Sequence, residues 1–168
     1  MSATTWSPPT AGERLAILRR TRSIAILGMS PDPSRASHFV ATYLLSSSCS
    51  FDDVWFVNPQ GGQILGRPVF ASLAELPAVP DLVDVFRRND DLPSVAADVA
   101  AMPGVRTLWI QLGLRNDEVA EIAHGAGKEV VMDRCLKIEH ARFAGGLHFA
   151  GFNTGVISSR RRGALEPR

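Results

Sequence analysis

Five short apolar runs constrain this chain more than any other feature: SIAIL at residues 23–27, DVWFV at 53–57, LVDVF at 82–86, RTLWI at 106–110 and KEVVM at 128–132. They are β-branched or aromatic in character, and mostly continuous rather than alternating. A strand with one wet face alternates, whereas a strand covered on both faces does not, so the runs predict buried parallel strands. Each pair is separated by enough residues for a crossover helix. Right-handed crossovers then leave few solutions other than a doubly wound α/β fold: a mainly five-stranded parallel sheet with helices on both faces.

The intervals between the runs carry helical spacing. Glu13 to Arg20 places Leu15, Ile17 and Leu18 on one side. His38, Phe39, Val40, Tyr43, Leu44 and Leu45 form the apolar face of the first crossover helix, with Ser34 as its cap after Pro33. Ser72 to Leu76 reads as a helical turn ended by Pro77. Leu92 to Met102 accommodates Pro93 in its first turn and stops at Pro103-Gly104, and Asn116 caps DEVAEIAHGAG. Residues 1–10, rich in Ser, Thr and Pro, read as a flexible N-terminal arm, 11–142 as the single folded domain, and 143–168 as a C-terminal extension ending in a basic tail with Arg160, Arg161 and Arg162.

At 168 residues the chain can bury roughly 70% of its unfolded surface and needs neither disulfide nor metal to fold. Lys plus Arg (18) nearly balance Asp plus Glu (17), which gives no footprint for nucleic acid or an anionic membrane. The N-terminus lacks the apolar run of a signal peptide, and no apolar stretch approaches the roughly 18 residues of a membrane span. Two cysteines, Cys49 and Cys135, make no disulfide framework, so a cytoplasmic location is expected.

The runs end in polar segments that the topology gathers along one edge of the sheet: GMSPDPSRASH from Gly28, VNP at 57–59, FRR at 86–88, QLG at 111–113 and MDRC at 132–135. Ligands of doubly wound sheets sit beyond that edge, at the switch point beside the first strand. Gly28 lets the backbone approach a diphosphate, and the amides of the next helix can donate to it. A nicotinamide dinucleotide asks for GxGxxG and an acidic residue ending the second strand. Here Ser30 and Pro31 replace the later glycines, and the second strand ends in Val57, Asn58 and Pro59. NAD is thereby disfavoured, while NADP escapes part of the objection because its extra phosphate needs a cation. Arg35, Arg87, Arg88, Arg134 and Lys137 supply cations near the strand ends, suited to a ligand with several phosphates.

No catalytic set emerges. His38, His124, His140 and His148 lie on different elements, no Ser, His and Asp group assembles, and the cysteines offer no zinc spacing. Cys135 follows the fifth run, where a cation-rich setting would lower its pKa; the competing reading is a small buried residue.

The segments IAILGMSPDPSRASHFVATYL, VNP, GRPVFASLAELP (66–77), DLVDVFRR (81–88), WIQLG (109–113) and VVMDRCLKIEHAR (130–142) together resemble the small stand-alone coenzyme A binding proteins with a Rossmann-like fold. These are similar to the CoA-binding domain of the succinyl-CoA synthetase α subunit and of ADP-forming acyl-CoA synthetases. The resemblance runs from about Ser23 to Arg142. It implies a site in which Gly28, Met29, Ser30, Pro31 and the loop to Arg35 hold the diphosphate, and Asn58 and Pro59 border the nucleotide half. Phe86, Arg87 and Arg88 would close over the ligand, Gln111 and Gly113 line the next strand end, and Lys137 adds charge.

Catalysis in the synthetases needs a phosphohistidine segment and a nucleotide-grasp domain, for which this chain has no room. The resemblance therefore implies a CoA or acyl-CoA binding protein without catalytic residues or metal: a carrier, a sensor or a regulatory partner of a larger enzyme. A mixed disulfide between CoA and Cys135 is a further expectation. Two alternatives remain open: a small NADP-dependent oxidoreductase using the same strand-end site, and an interaction protein whose C-terminal extension forms an oligomer interface.

Overall fold

In the computed structural model, which describes residues 5–144, the five apolar runs lie side by side as expected. In chain order the elements are α1 (Ala11–Arg20), β1 (Ser23–Leu27), α2 (Ala36–Leu44), β2 (Asp53–Val57), β3 (Gln63–Ile64), β4 (Arg67–Phe70), β5 (Leu82–Val85), α3 (Leu92–Ala100), β6 (Thr107–Ile110), α4 (Asp117–Gly125), β7 (Glu129–Val131) and α5 (Leu136–Ala144). The sheet order is β3-β4-β2-β1-β5-β6-β7.

The sheet has seven strands rather than five. The additional pair, β3 and β4, is short and carries Gln63, Arg67 and Pro68 in place of an apolar run. β3 is the edge strand, one side of which needs no partner, and Pro68 of β4 is tolerated where that strand pairs with β3 alone, ahead of its pairing with β2 at Val69 and Phe70. Leu65 and Gly66 join them with φ of 51° and 72°, a two-residue hairpin turn with both central residues left-handed. β4 is parallel to β2, and only β3 runs antiparallel. Counted in chain order, the six parallel strands therefore stand as 3-2-1-4-5-6, the doubly wound Rossmann arrangement.

Helices α1, α2 and α5 cover one face, packing on Ile24, Ile26, Phe56, Leu82 and Trp109. The opposite face, with Ala25, Leu27, Val83, Val85, Leu108 and Ile110, is covered by α3, α4 and the short 3-10 turn Leu73–Glu75. Successive residues of one strand thus enter different cores, which is why the runs do not alternate. Across the α1–α5 contact, Arg14 Nε donates to Glu139 Oε2 at 2.8 Å with both side chains buried.

Helix starts follow local chemistry. Asn116 caps α4 by accepting from the Glu118 and Val119 amides, as expected, and Thr10 and Glu13 form a capping box that starts α1 at Ala11. Ser34 does not cap α2. Its amide and hydroxyl both donate to Asp32 Oδ1, and Arg35 takes the cap position without a side-chain hydrogen bond. In the arm, the Trp6 indole N–H donates to the Val130 carbonyl at 3.1 Å. Arg160 to Arg162, His148 and the rest of the expected extension beyond residue 144 lie outside the described residues. Among the described residues no helix is long and apolar enough to cross a membrane.

Candidate functional site

At the end of β1 the backbone turns at Gly28, with φ of +90°. A Cβ on this residue would meet the Phe86 carbonyl oxygen at 2.1 Å, and the Arg87 side chain passes within 3.5 Å of the same point. The amides of Gly28 and Met29 both donate to the Val57 carbonyl, and the Phe86 amide donates to the Leu27 carbonyl. The ends of β2, β1 and β5 are therefore laced together at the switch point, where crossovers leave for opposite faces of the sheet. Only glycine accepts both the left-handed conformation and the close backbone.

The loop that follows is internally ordered. Ser30 N–H donates to Ser37 Oγ at 3.0 Å, and Asp32 N–H donates to Ser30 Oγ at 3.2 Å. Met29 is wholly buried in the core, so it offers the loop only its backbone; its carbonyl accepts from Asn58 Nδ2 at 2.8 Å. Asn58 in turn accepts from the Gln60 amide and so fixes the β2 exit, while Pro59 is exposed. Pro31 is also exposed, as is Arg35, which stands 3.9 Å from Asp32.

Beside the switch point lies a cleft of about 640 Å³, lined by Leu27, Ser72, Leu73, Arg87, Asp91 and Ser94 among others. Of the switch-point residues Arg87 reaches its wall, close to the Gly28–Phe86 contact, and Arg88 is exposed in the following turn. Ser72 and Ser94 were not singled out from sequence, and as polar residues in a turn and on a helix they carried no signal.

Farther along the edge, Gln111 is buried and its amide donates to Asp84 Oδ1. Gly113, with φ of +88°, donates its amide to Asp133 Oδ1 at 2.7 Å. Lys137, in the first turn of α5, sits with its ammonium 3.4 Å from the centroid of the Phe39 ring on α2. That contact brings the N-terminal ends of α2 and α5 to the same rim. Arg134 pairs instead with Glu139, at 4.0 Å.

Asp84 is wholly buried in β5, and its Oδ2 has no hydrogen-bond partner. Burial pushes its carboxyl up to about 8, outweighing the Gln111 hydrogen bond, which acts in the opposite direction. The sequence signal for it was a single charge inside the apolar run LVDVF. Cys135 is half-buried just before α5. The expected lowering of its pKa does not occur: burial pushes the thiol up, and Asp84 adds to the effect while the Ile138 and Lys137 amides and the Lys137 charge oppose it. Desolvation of the thiolate outweighs those favourable groups. Among the described residues no cluster of His, Cys, Asp and Glu could hold a metal ion.

Residues 22–141, nearly the whole of the described fold, match the CoA binding domain. The chain belongs to the CoA-binding domain family. Within this family setting, it is 35% identical over 133 residues to "Uncharacterized protein YneT" of Bacillus subtilis (strain 168), covering 79% of this chain and 96% of that protein. Among solved structures, cell-free ID.343 from Thermus thermophilus is 36% identical with a TM-score of 0.72, covering 80% of this chain and 98% of the other. A hypothetical protein from Pyrococcus horikoshii OT3 is 30% identical with a TM-score of 0.73, covering 83% and 97%. Coenzyme A is the ligand that this family match supports, and the match lends nothing to the NADP-dependent alternative.

Proposed function

We propose that the protein binds CoA or acyl-CoA across the carboxyl ends of β1, β2, β5 and β6 and works as a cytoplasmic carrier, sensor or regulatory module for a partner enzyme. The observation that carries the reading is the Gly28 turn: a left-handed glycine at the switch point, leading into a helix whose N-terminus no side chain caps. Uncapped first-turn amides and the positive end of the helix dipole favour an anionic group there. In this reading the loop of Gly28, Met29, Ser30, Pro31 and Arg35 shapes the diphosphate seat, and the first-turn amides of α2 with the Arg35 guanidinium supply its donors. Asn58 and Pro59 border the nucleotide, Phe86, Arg87 and Arg88 flank it at the cleft, and Gln111, Gly113 and Lys137 complete the rim. The unit responsible is 11–142. Likeness to the succinyl-CoA synthetase α subunit rests on the shared sequence segments, and a cytoplasmic setting is supported by two free thiols, Cys49 and Cys135.

Calorimetric titration with CoA, NADPH and ATP, after unfolding and refolding to strip any copurified ligand, tests the proposal. Selective CoA binding is expected. Preference for NADPH, or heat from none of the three, overturns it.

A further inference from the structure

Asp84 is a carboxyl group in an otherwise apolar layer. In the register of the sheet it stands between Ile26 of β1 and Trp109 of β6, both wholly buried. An apolar side chain would fill that position at lower cost, because Oδ2 is buried with no hydrogen-bond partner. Among the described residues the carboxyl makes one hydrogen bond, in which Nε2 of Gln111 donates to Oδ1. Gln111 is the first residue past β6, yet it is buried, its side chain folding back to Asp84 rather than running out to water. What the carboxyl does in the fold is therefore to hold Gln111.

The same glutamine opens the turn at the strand exit. The Leu114 amide donates to the Gln111 carbonyl, the Gly113 amide to Asp133 Oδ1 at 2.7 Å, and the Asp133 amide to the Leu114 carbonyl. Asp84, through a side chain, and Asp133, through the backbone, thus fix residues 111–114 at the ligand edge of the sheet, with Leu112 exposed within the turn. The Gln111 amide gives its nitrogen end to Asp84, which turns its oxygen, on the other arm of the planar group, away from the carboxyl. Burial keeps the Asp84 acid protonated at neutral pH, so the pair sets no negative charge beneath an anionic ligand. An uncharged amide beside an exposed leucine makes a poor seat for phosphate and suits a chain of amide and methylene groups.

We propose that Asp84 is a positioning residue for the pantetheine arm of the ligand: it holds Gln111 by the amide nitrogen at the β6 exit, so that the Gln111 side-chain oxygen accepts from an amide N–H of the arm. This deepens the CoA-binding reading and rests on it. The phosphates then lie toward the Gly28 turn and α2, and the arm crosses the end of β6.

Calorimetry with CoA and, in parallel, with 3′-phosphoadenosine 5′-diphosphate, which is the ligand without its pantetheine arm, tests the proposal. Asp84→Leu keeps the branched shape without the acceptor; it should lower CoA affinity about 10-fold, the scale of one hydrogen bond lost at the ligand, and leave affinity for the armless nucleotide unchanged. Asp84→Asn keeps an acceptor for Gln111 and should bind CoA like the wild type. Gln111→Leu, with Asp84 in place, should reproduce the loss, and it decides the matter alone if Asp84→Leu does not fold. The double variant should lose no more than either single one, because the two residues act as a unit. Unchanged CoA affinity in Gln111→Leu, an Asp84→Asn variant as weak as Asp84→Leu, or equal losses for the two ligands overturns the proposal. The wild type separates the two readings: no binding of CoA removes the CoA site itself, whereas CoA binding that is indifferent to Gln111→Leu removes only the role of Asp84.

Discussion

The carbonyl oxygen of Phe86 stands 2.1 Å from where a Cβ atom of Gly28 would lie. Two strand ends far apart in sequence are thereby in backbone contact, at the point where the sheet opens toward the ligand. The approach leaves room for the Arg87 stem above the glycine and ties the geometry of the loop to that of β5.

Gly28→Ala must separate those ends or twist the loop out of its left-handed turn. It should destabilise the fold by about 3 kcal/mol, read as a fall of about 10 °C in the midpoint of thermal unfolding. A loss under about 1 kcal/mol would show that β1 and β5 part freely.

Arg87→Ala should weaken CoA binding by about 1–3 kcal/mol through loss of a charged hydrogen bond at the cleft. Titration calorimetry reads it directly, and an unchanged affinity would place Arg87 outside the ligand's reach.

Asp84 sets a pH dependence with a definite sign. Its folded pKa is pushed up to about 8 from an ordinary 3.8, so the native state holds a proton that the unfolded chain has already released. The contribution is fully present below about pH 4, falls as pH rises, and is gone once pH passes the folded value near 8. Asp84→Asn keeps the shape without the charge, so it should match the wild type near pH 4 and exceed its stability at pH 8 by on the order of a few kcal/mol. Parallel denaturation curves across that range would contradict the assignment.

Glu139 holds the buried charge of Arg14 between α5 and α1. Glu139→Ala leaves that guanidinium without its 2.8 Å partner and should cost about 3–5 kcal/mol. Replacing both residues together, Arg14→Met with Glu139→Met, should recover only part of the loss, because the buried Arg142 guanidinium, 4.0 Å from Glu139, loses that carboxylate in either variant. Urea midpoints of the single and double variants check the pair.

Much of the architecture was legible in sequence because burial on both faces writes a continuous apolar run into each central strand, and Asn116 writes its cap in its own side chain. The short strands β3 and β4 were not, since Gln63, Arg67 and Pro68 carry the pattern of a loop. Ser34 failed as a cap for a related reason: Asp32 is a nearer acceptor for its hydroxyl. Helix α5 was not legible either, because two of the residues it buries, Glu139 and Arg142, are charged and break its apolar stripe.

By itself the sequence determined the doubly wound class, the strand ends that would bear polar residues, the glycine at the first turn and the family, all of them properties of short segments whose residues act on their immediate neighbours. Only the tertiary structure decided how close Gly28 comes to Phe86, that Arg14 meets Glu139, and that Asp84 is wholly buried beside Gln111 with its Oδ2 unpaired. Those depend on groups brought together from distant parts of the chain. Electrostatic cost follows from the dielectric they jointly create, so the same Cys135 that reads as activated beside sequence-adjacent cations is held protonated by its burial.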